Sequence, residues 1–356
     1  MTIFQTRSDV FDRVRAELVP DSSAMQVAER ALSVVDQYFE LQPNRQGANE
    51  ELALVSDVEA ELTGFGFIQP YLNDSQIEEI WINRPGELRY AKGGRTEVVN
   101  LGFDAQQLEN LVFRLLRNSS RRVDRVHPFA DATLVDGSRV HVVIPPITDG
   151  SWTLNVRKFP AKSRTLDDLL GSGMLNLAQY AELSDAMVRG CNLIVSGATQ
   201  AGKTTFLSAL LGQLPAATRV ISIEETHELR IPAADWVAMQ GRPEAVGDSD
   251  AIDLRRLLRE SLRMRPDYLV VGEVRGAEAL ELLLAMNTGI PCAGTIHAKS
   301  ARAAVSKLKL LPALAQANID QRFLEATVDD VLDVVVHVER VGGKRRVSEI
   351  LWPGRA

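Results

Sequence analysis

The sequence predicts an α/β protein in which a domain built on a parallel sheet follows a smaller α+β domain and an N-terminal helical extension. Three observations lead to this prediction. From residue 175 onward, apolar runs typical of strands alternate with segments of helical spacing, as expected for parallel strands joined by helical crossovers. Residues 67–160 instead contain short strand-like runs separated by Gly and Pro turns. In residues 1–66, apolar residues recur every three or four positions, which indicates amphipathic helices.

The helical extension is predicted to contain three helices, over residues 10–19, 25–41 and 51–65. Asp21 and Ser22 are suitable caps for the second helix. The polar run at residues 42–50 is expected to be a linker. We expect this extension to dock a partner rather than to perform catalysis.

The α+β domain is predicted over residues 67–160. Its strands are expected in IEEIWIN, ELRYAKG and RTEVVNL, around the turns at Pro85-Gly86 and Gly93-Gly94. A helix is predicted over residues 104–117, because Leu108 and Leu115 belong to an apolar stripe. The Asp136-Gly137 dipeptide between two apolar runs predicts a hairpin, and a further strand is expected over residues 151–159.

The α/β domain is predicted over residues 175–356, after a polar linker with glycines at residues 161–174. Strands are predicted at residues 192–196, 219–224, 268–272 and 292–296, with helices at 254–265 and 277–288 among those between them. Near the end of the chain, two strand-like runs flank Gly342-Gly343, which predicts a hairpin at the edge of the sheet.

The run GATQAGKTT fits G-x-x-x-x-G-K-[ST], the pattern of a phosphate-binding loop. Its glycines let successive N–H groups turn toward phosphate oxygens, Lys203 reaches the β- and γ-phosphates, and Thr204 offers a hydroxyl to Mg²⁺. A strand-like run precedes the loop and a helical segment follows it, which places a helix N-terminus at the anion. A tight turn without a ligand is the alternative. The residues predicted to bind nucleotide are Gly197, Ala198, Thr199, Gln200, Ala201, Gly202, Lys203, Thr204 and Thr205.

Acidic residues follow two of the predicted strands. Glu224 and Glu225 follow VISI, and Glu273 follows YLVVG. Ligands bind at the carboxyl ends of parallel strands, so a carboxylate there can hold Mg²⁺ or orient the attacking water. We predict Thr204 and Glu273 at the metal, and either Glu224 or Glu273 at the water. Ordinary strand-end charges that face solvent are the alternative.

A histidine follows a third predicted strand, in GTIHA. This position would direct His297 toward the γ-phosphate, where it could sense the state of the nucleotide. A lone histidine is more often structural, and the residues alone leave both interpretations open.

The bulk composition is that of an ordinary soluble protein, with 45% hydrophobic and 24% charged residues. The net charge of −7 argues against a protein that mainly binds nucleic acid, because neutralising phosphates requires basic surface. No apolar stretch approaches a membrane-spanning length, and the N-terminus lacks a signal-peptide pattern. Cys191 and Cys292 lie in apolar runs, as expected of buried cysteines. We expect a cytoplasmic protein.

Four segments together resemble the ATPases of the type II/IV secretion superfamily, which are GspE/PulE-like. GATQAGKTT corresponds to the family's phosphate loop, and VISIEETHEL corresponds to its acidic box. Farther along the chain, LRMRPDYLVVGEVRGAEALELLLAMNTG corresponds to its Walker B segment, and GTIHA corresponds to its histidine box. The stretch DATLVDGSRVHVVIPP, with NVRKF after it, resembles the family's N-terminal domain. The DGSRV and LRMRPD…GEVRG segments are most similar to the CpaF/TadA-type ATPases of tight-adherence (Flp) pili. The four-cysteine zinc module of GspE-type members is absent from the sequence.

The resemblance implies a RecA-like P-loop NTPase domain that uses ATP and Mg²⁺. It also implies a homo-hexamer that is peripheral to the inner face of the cytoplasmic membrane. The implied partners are inner-membrane platform proteins of a pilus or secretion system, and no direct binding of nucleic acid is expected. The family has N-terminal-domain arginines that reach phosphates. By position, Arg139 and Arg157 are the candidates, and two strand arginines facing solvent are the alternative. The implied catalytic set is Lys203, Glu224, Glu273, His297, Arg139 and Arg157.

Five arginines line the helix before the Walker B segment, and one or two of them are expected to face the nucleotide. They are Arg255, Arg256, Arg259, Arg263 and Arg265.

The predicted function is therefore a hexameric ATPase that drives pilus assembly or protein secretion. A conjugation-type ATPase of type IV secretion and a RecA-type motor that moves nucleic acid are alternatives. A nucleotide-binding subunit without hydrolysis is a third alternative, which the intact set of Lys203, Thr204, Glu224 and Glu273 disfavours.

Overall fold

The computed structural model describes residues 7–18, 24–40, 48–62, 64–117, 119, 121–159, 164–242, 251–315 and 320–355. The chain forms two compact units, Met1–Pro160 and Ala161–Ala356. Each unit has hydrophobic cores of its own. Across the described residues, we find no helix with the length and apolar character needed to cross a bilayer.

The first unit begins with three helices that pack on one another, α1 (Arg7–Glu17), α2 (Ala24–Glu40) and α3 (Ala48–Leu62). Their shared core includes Val14, Val34 and Leu54, each at most 1% exposed. The predicted helices are confirmed. The prediction of a linker over residues 42–50 is wrong at its end, since α3 begins at Ala48. Residues 42–47 and the predicted caps Asp21 and Ser22 lie outside the described residues.

The rest of the first unit is an antiparallel sheet with helices beside it. Its elements are α4 (Gln69–Asn73), β1 (Ile77–Arg84), β2 (Glu87–Lys92), β3 (Arg95–Asn100), α5 (Ala105–Leu116), β4 (Phe129–Thr133), β5 (Arg139–Val143) and β6 (Thr153–Arg157). The strand order is β3-β2-β1-β6-β5-β4. At the start of α5, Asp104 and Gln107 cap each other's backbone N–H, at 2.8 and 2.9 Å. The hairpin predicted at Asp136-Gly137 joins β4 to β5 and is confirmed.

The second unit is the predicted α/β sheet. Its elements are α6 (Leu166–Gly171), α7 (Leu177–Val188), β7 (Leu193–Gly197), α8 (Lys203–Leu211), β8 (Arg219–Glu224), β9 (Asp235–Gln240), α9 (Leu254–Ser261), β10 (Tyr268–Val271), α10 (Glu278–Asn287), β11 (Cys292–His297), α11 (Ala301–Ala315), α12 (Gln321–Val331), β12 (Val334–Val341) and β13 (Lys344–Leu351). The strand order is β13-β12-β7-β11-β10-β8-β9. The strands are parallel except for β13, which pairs antiparallel with β12 as the predicted hairpin.

Both faces of this sheet are buried. Along β7, Leu193 and Val195 pack with α8 in one core, whereas Ile194 between them packs with α10 in the other. This alternation is what a strand covered by helices on both sides requires. Because β7, β8, β10 and β11 run parallel, their carboxyl ends lie at one edge of the sheet, where ligands bind in folds of this kind.

Two parts of the second unit differ from the prediction. The segment predicted as a linker, residues 161–174, contains α6, whose Leu166 and Leu169 are at most 1% exposed in the core with α8. The strand β9 was not predicted, because its residues DWVAMQ are exposed or half-buried and lack an apolar run.

Candidate active site

The phosphate loop lies between β7 and α8, which confirms the predicted order of strand, loop and helix. Gly197 passes so close to β12 that a Cβ atom on it would lie 2.3 Å from the carbonyl oxygen of Val338, so a side chain cannot fit there. Gln200 and Gly202 have φ angles of 61° and 93°, in the left-handed region. These angles turn the loop back so that α8 starts directly at Lys203.

The predicted nucleotide-binding residues of this loop divide into three groups by exposure. They are the exposed tip, Ala198, Thr199 and Gln200; the buried Gly197, Ala201 and Lys203; and the half-buried Gly202, Thr204 and Thr205, where α8 begins. The unpaired backbone N–H groups of a first helical turn attract anions, and the loop before this turn is suited to wrap a phosphate.

Lys203 is held at the base of the loop. Its side chain is buried, with the residue only 7% exposed, and Nζ donates to the carbonyl oxygen of Ala198 at 3.0 Å. The same Nζ lies 3.1 Å from Nδ1 of His297. Because an ammonium only donates hydrogen bonds, Nδ1 is the acceptor and the imidazole proton is on Nε2.

His297 connects Lys203 to Glu273. It ends β11, where it pairs with Gly197 of β7, and its Nε2 lies 2.6 Å from Oε1 of Glu273. Burial and the neighbouring charge of Lys203 lower the pKa of His297, although Glu273 opposes this shift. A neutral imidazole with its proton on Nε2 therefore bridges the lysine and the carboxylate.

Glu273 follows β10 and is half-buried. Burial raises the pKa of Glu273, but the hydrogen bond from Arg275 and the positive charges of Arg275 and Lys203 outweigh it, so the net shift is downward and the group is a carboxylate. Arg275 donates to Glu273 Oε2 at 2.5 Å and to Oε2 of the exposed Glu225 at 3.0 Å. Oε1 is buried and makes no well-aligned hydrogen bond to the described residues, despite its short contact with His297.

Glu224 ends β8 and is built into the loop that follows. It is 2% exposed, and its Oε1 accepts the backbone N–H groups of Glu228 and Leu229, both at 2.9 Å. Its Oε2 is buried without a hydrogen bond to the described residues, 3.6 Å from Nδ1 of His227. Burial is the main cause that raises the pKa of Glu224. A Cβ atom on Gly272 would lie 2.7 Å from Glu224 Cγ, so that glycine leaves room for the carboxylate.

Sequence reasoning missed two residues of this site. Glu228 accepts a hydrogen bond at Oε2 from the hydroxyl of Thr204, at 3.2 Å. Arg275 links Glu273 to Glu225. Both residues lie inside the quoted acidic box and Walker B segments, but Glu228 meets Thr204, and Arg275 meets Glu225, across long stretches of sequence, so no local pattern indicates these contacts.

The residues present fit a magnesium–nucleotide complex. Mg²⁺ keeps several waters and is bound through one or two carboxylates together with substrate phosphates. The Thr204 hydroxyl, with Glu228 beside it, and the carboxylate of Glu273 are the groups that would hold it, directly or through water.

A protein-family model described as "Type II/IV secretion system protein" matches residues 61–338. The chain belongs to the type II/IV secretion ATPase family. A Mycobacterium tuberculosis protein named for conjugal transfer is 32% identical over 316 residues, covering 85% of this chain and 88% of that protein. The type IV secretion system protein PtlH of Bordetella pertussis is 32% identical over 316 residues, covering 80% of this chain and 93% of that one.

A solved member of this fold confirms the predicted fold class. The pilus retraction motor PilT with bound ADP superposes with a TM-score of 0.61, at 20% identity, over 81% of this chain and 82% of that one. At this identity the likeness concerns the fold alone. It agrees with the prediction of a RecA-like domain preceded by an α+β domain.

In this secretion ATPase, Arg139 and Arg157 are direct neighbours across β5 and β6. Arg157 also faces Glu79 across β1, so one row of the sheet contains two guanidinium groups and a carboxylate. Like charges placed opposite each other in a sheet are unfavourable, and an anion beside them relieves the repulsion. Their contact with phosphates stays a prediction.

Two of the five arginines around α9 have another partner. Arg255 and Arg259 both bind Oε1 of Glu281 on α10, each at 2.7 Å, and Glu281 is 7% exposed. These two residues fix α9 against α10, and the expectation that one or two of the five arginines face the nucleotide stays a prediction for the other three.

Proposed function

We propose that this protein hydrolyses ATP in the presence of Mg²⁺ and that the energy drives transport through a secretion machine of the cell envelope. The observation that supports this most strongly is the continuous contact from Lys203 through His297 to Glu273 at the N-terminus of α8. It joins the lysine of the phosphate loop to a carboxylate that can position water, and both kinds of group take part in phosphoryl transfer to water.

Each of these residues has a proposed role. The loop N–H groups and Lys203 bind the β- and γ-phosphates, and Mg²⁺, when bound, offsets the negative charge that spreads over the transferring phosphoryl group. Glu273 orients the attacking water, because it is a half-buried carboxylate at the end of β10 that His297 joins to Lys203. Glu224 is less suited to this role, since it is only 2% exposed, burial raises its pKa, and its Oε1 accepts two backbone N–H groups. Its part is to position Glu228 beside Thr204.

His297 is proposed to report the state of the nucleotide. When Lys203 moves to a γ-phosphate, His297 loses the partner of its Nδ1, and the imidazole can turn. Release of phosphate restores the contact. Arg139 and Arg157 are proposed to neutralise phosphate charge, as the resemblance implies.

The assembly is proposed to be a homo-hexamer at the inner face of the cytoplasmic membrane, bound to inner-membrane proteins of its machine. The names of the relatives favour a type IV, conjugation-type secretion system over the tight-adherence pilus predicted from the sequence. Pilus assembly is the second candidate, on the DGSRV and LRMRPD…GEVRG segments. The net charge of −7 disfavours a motor that grips DNA directly.

Phosphate release from Mg–ATP tests the proposal. The wild-type protein is expected to turn over ATP, and the Lys203→Ala variant is expected to lose turnover, with no stimulation of the wild type by DNA. A wild-type protein that binds ATP without releasing phosphate would support the non-enzymatic alternative, and stimulation by DNA would support the nucleic-acid motor.

A further inference from the structure

The β12–β13 hairpin reaches the phosphate loop from the far end of the chain. Nε of Arg345 donates to the carbonyl oxygen of Gln200 at 3.3 Å, across 145 residues of sequence. The stem of the same side chain lies against Gly202, where a Cβ atom would come within 2.9 Å of Arg345 Cδ. Gln200 and Gly202 are the two loop residues with left-handed φ angles, 61° and 93°. Arg345 therefore contacts the loop at its two unusual turns.

The contact at Gln200 fixes a backbone conformation that is unfavourable by itself. A residue other than glycine has a higher energy in the left-handed backbone conformation, because its Cβ atom crowds the backbone. It keeps this conformation only when the surrounding structure holds it there. A hydrogen bond from a guanidinium group is stronger than one between neutral groups. In a trans peptide the C=O and the next N–H point in opposite directions, so fixing the Gln200 carbonyl directs the N–H of Ala201 inward, toward the Ala198 carbonyl at 3.3 Å.

The register of the hairpin explains why Arg345 faces the loop. Val338 and Val347 pair across β12 and β13 and are buried in the core that contains α8. Residues two positions apart lie on the same face of a strand, so the next pair on that face is Arg340 and Arg345. Two guanidinium groups side by side repel each other and favour an anion nearby. Arg346 lies on the opposite face and pairs with Glu339 at 2.7 Å.

We propose that Arg345 is a positioning residue for nucleotide binding. It holds the Gln200 peptide so that the loop has its phosphate-binding shape before ATP or ADP arrives. This inference rests on the proposed ATPase function and extends it to β13, which lies beyond the residues 61–338 that the family model matches.

The test compares Arg345→Met with Arg346→Met. Methionine keeps an unbranched stem against Gly202 and removes the guanidinium group, whereas the second variant removes an arginine from the other face of the same strand. The probe is a fluorescent ADP analogue with Mg²⁺, titrated by anisotropy. We expect Arg345→Met to weaken binding about tenfold, which equals about 1.4 kcal/mol. Arg346→Met is expected to stay within about twofold of wild type, and Arg345→Lys to recover part of the loss because it keeps a donor.

Kinetics separate positioning from a general loss of structure. Once phosphates fill the loop they hold its shape, so Arg345→Met should raise KM for ATP about tenfold and leave kcat within about twofold. Its melting temperature without nucleotide should stay within about 2 °C of wild type. Unchanged affinity in Arg345→Met, equal losses in the two methionine variants, or a fall in kcat at unchanged KM would overturn the inference. A wild type that binds no ADP analogue would instead overturn the proposed function.

Discussion

Lys203 and His297 lie 3.1 Å apart, with the ammonium of the phosphate loop donating to the imidazole Nδ1 at the end of β11. Since His297 also contacts Glu273 at 2.6 Å, one side chain joins the lysine proposed to bind phosphate to the carboxylate proposed to orient water. A nucleotide that attracts Lys203 must change both contacts. Through these two contacts, the binding of a nucleotide can change the conformation at the carboxyl ends of β10 and β11.

Replacing His297 should affect turnover more than binding. In His297→Ala, Lys203 and Glu273 lose their common partner, and we expect kcat to fall about tenfold to hundredfold, as for loss of a positioned polar group. His297→Gln is the matched variant, because an amide can both accept from Lys203 and donate to Glu273. It should retain more activity than His297→Ala in a phosphate-release assay. Wild-type kcat in His297→Ala would show that the bridge has no role.

Glu228 is expected to affect the metal requirement. Thr204 donates its hydroxyl proton to this carboxylate, which leaves the hydroxyl oxygen free to face Mg²⁺. In Glu228→Ala, the Mg²⁺ concentration for half-maximal turnover should rise about tenfold, as for other residues that orient a metal ligand. Glu225→Ala is the control, because Glu225 is exposed and pairs with Arg275 instead. An unchanged Mg²⁺ dependence in Glu228→Ala would remove this residue from the metal site.

Glu224 should make the stability of the protein depend on pH. Burial raises the pKa of Glu224 in the folded state above its value in the unfolded chain, so its carboxylate form destabilises the fold as pH rises through the folded pKa. Glu224→Gln keeps an oxygen for the two backbone N–H groups and cannot ionise. The difference in melting temperature between the variant and wild type should therefore move in favour of the variant as the pH rises above the ordinary pKa of glutamate, and the two proteins are compared at about pH 5 and about pH 8.

Each kcal/mol of stability shifts the melting temperature of a domain of this size by about 2–4 °C, so the movement is measurable. Melting curves at both pH values measure it. If the difference in melting temperature between Glu224→Gln and wild type is constant with pH, or moves in favour of wild type, burial does not raise the pKa of Glu224 in the folded protein.

Gly272→Ala should displace Glu224. The new methyl group would lie 2.7 Å from Glu224 Cγ, too close for any ordinary contact, and we expect a loss of about 1–3 kcal/mol of stability together with reduced turnover. Gly276→Ala is the control, because its Cβ would meet Glu278 Oε2 at 3.5 Å, an ordinary distance. Thermal melting and phosphate release compare the two. Equal behaviour of both variants would mean that the space beside Gly272 is not needed.

The sequence predicted those parts of the structure that depend on neighbours in the chain. The strand, loop and helix around GATQAGKTT, the Asp136-Gly137 hairpin and the alternation of the α/β unit all follow from local patterns. The short helix α6 was missed because only its burial against α8 distinguishes LDDLLG from a polar linker. Strand β9 was missed because an exposed edge strand needs no apolar run.

The contacts that complete the site depend on pairing between distant segments. Thr204 meets Glu228 because β7 and β8 end at the same edge of the sheet, and Arg345 meets Gln200 because β12 pairs with β7. Neither contact has a signature in the spacing of residues. The sequence could indicate which side chains have suitable chemistry, but only the sheet order shows which of them touch.

The most direct test of the central claim follows bound nucleotide and released phosphate in the same sample of wild type, Glu273→Gln and Lys203→Ala. If Glu273 orients the attacking water and Lys203 binds the phosphates, wild type releases phosphate and Glu273→Gln retains bound ATP with turnover lowered at least about hundredfold. Lys203→Ala retains little nucleotide and releases no phosphate. Phosphate release at the wild-type rate by either variant would contradict the claim that this contact chain is the site of ATP hydrolysis.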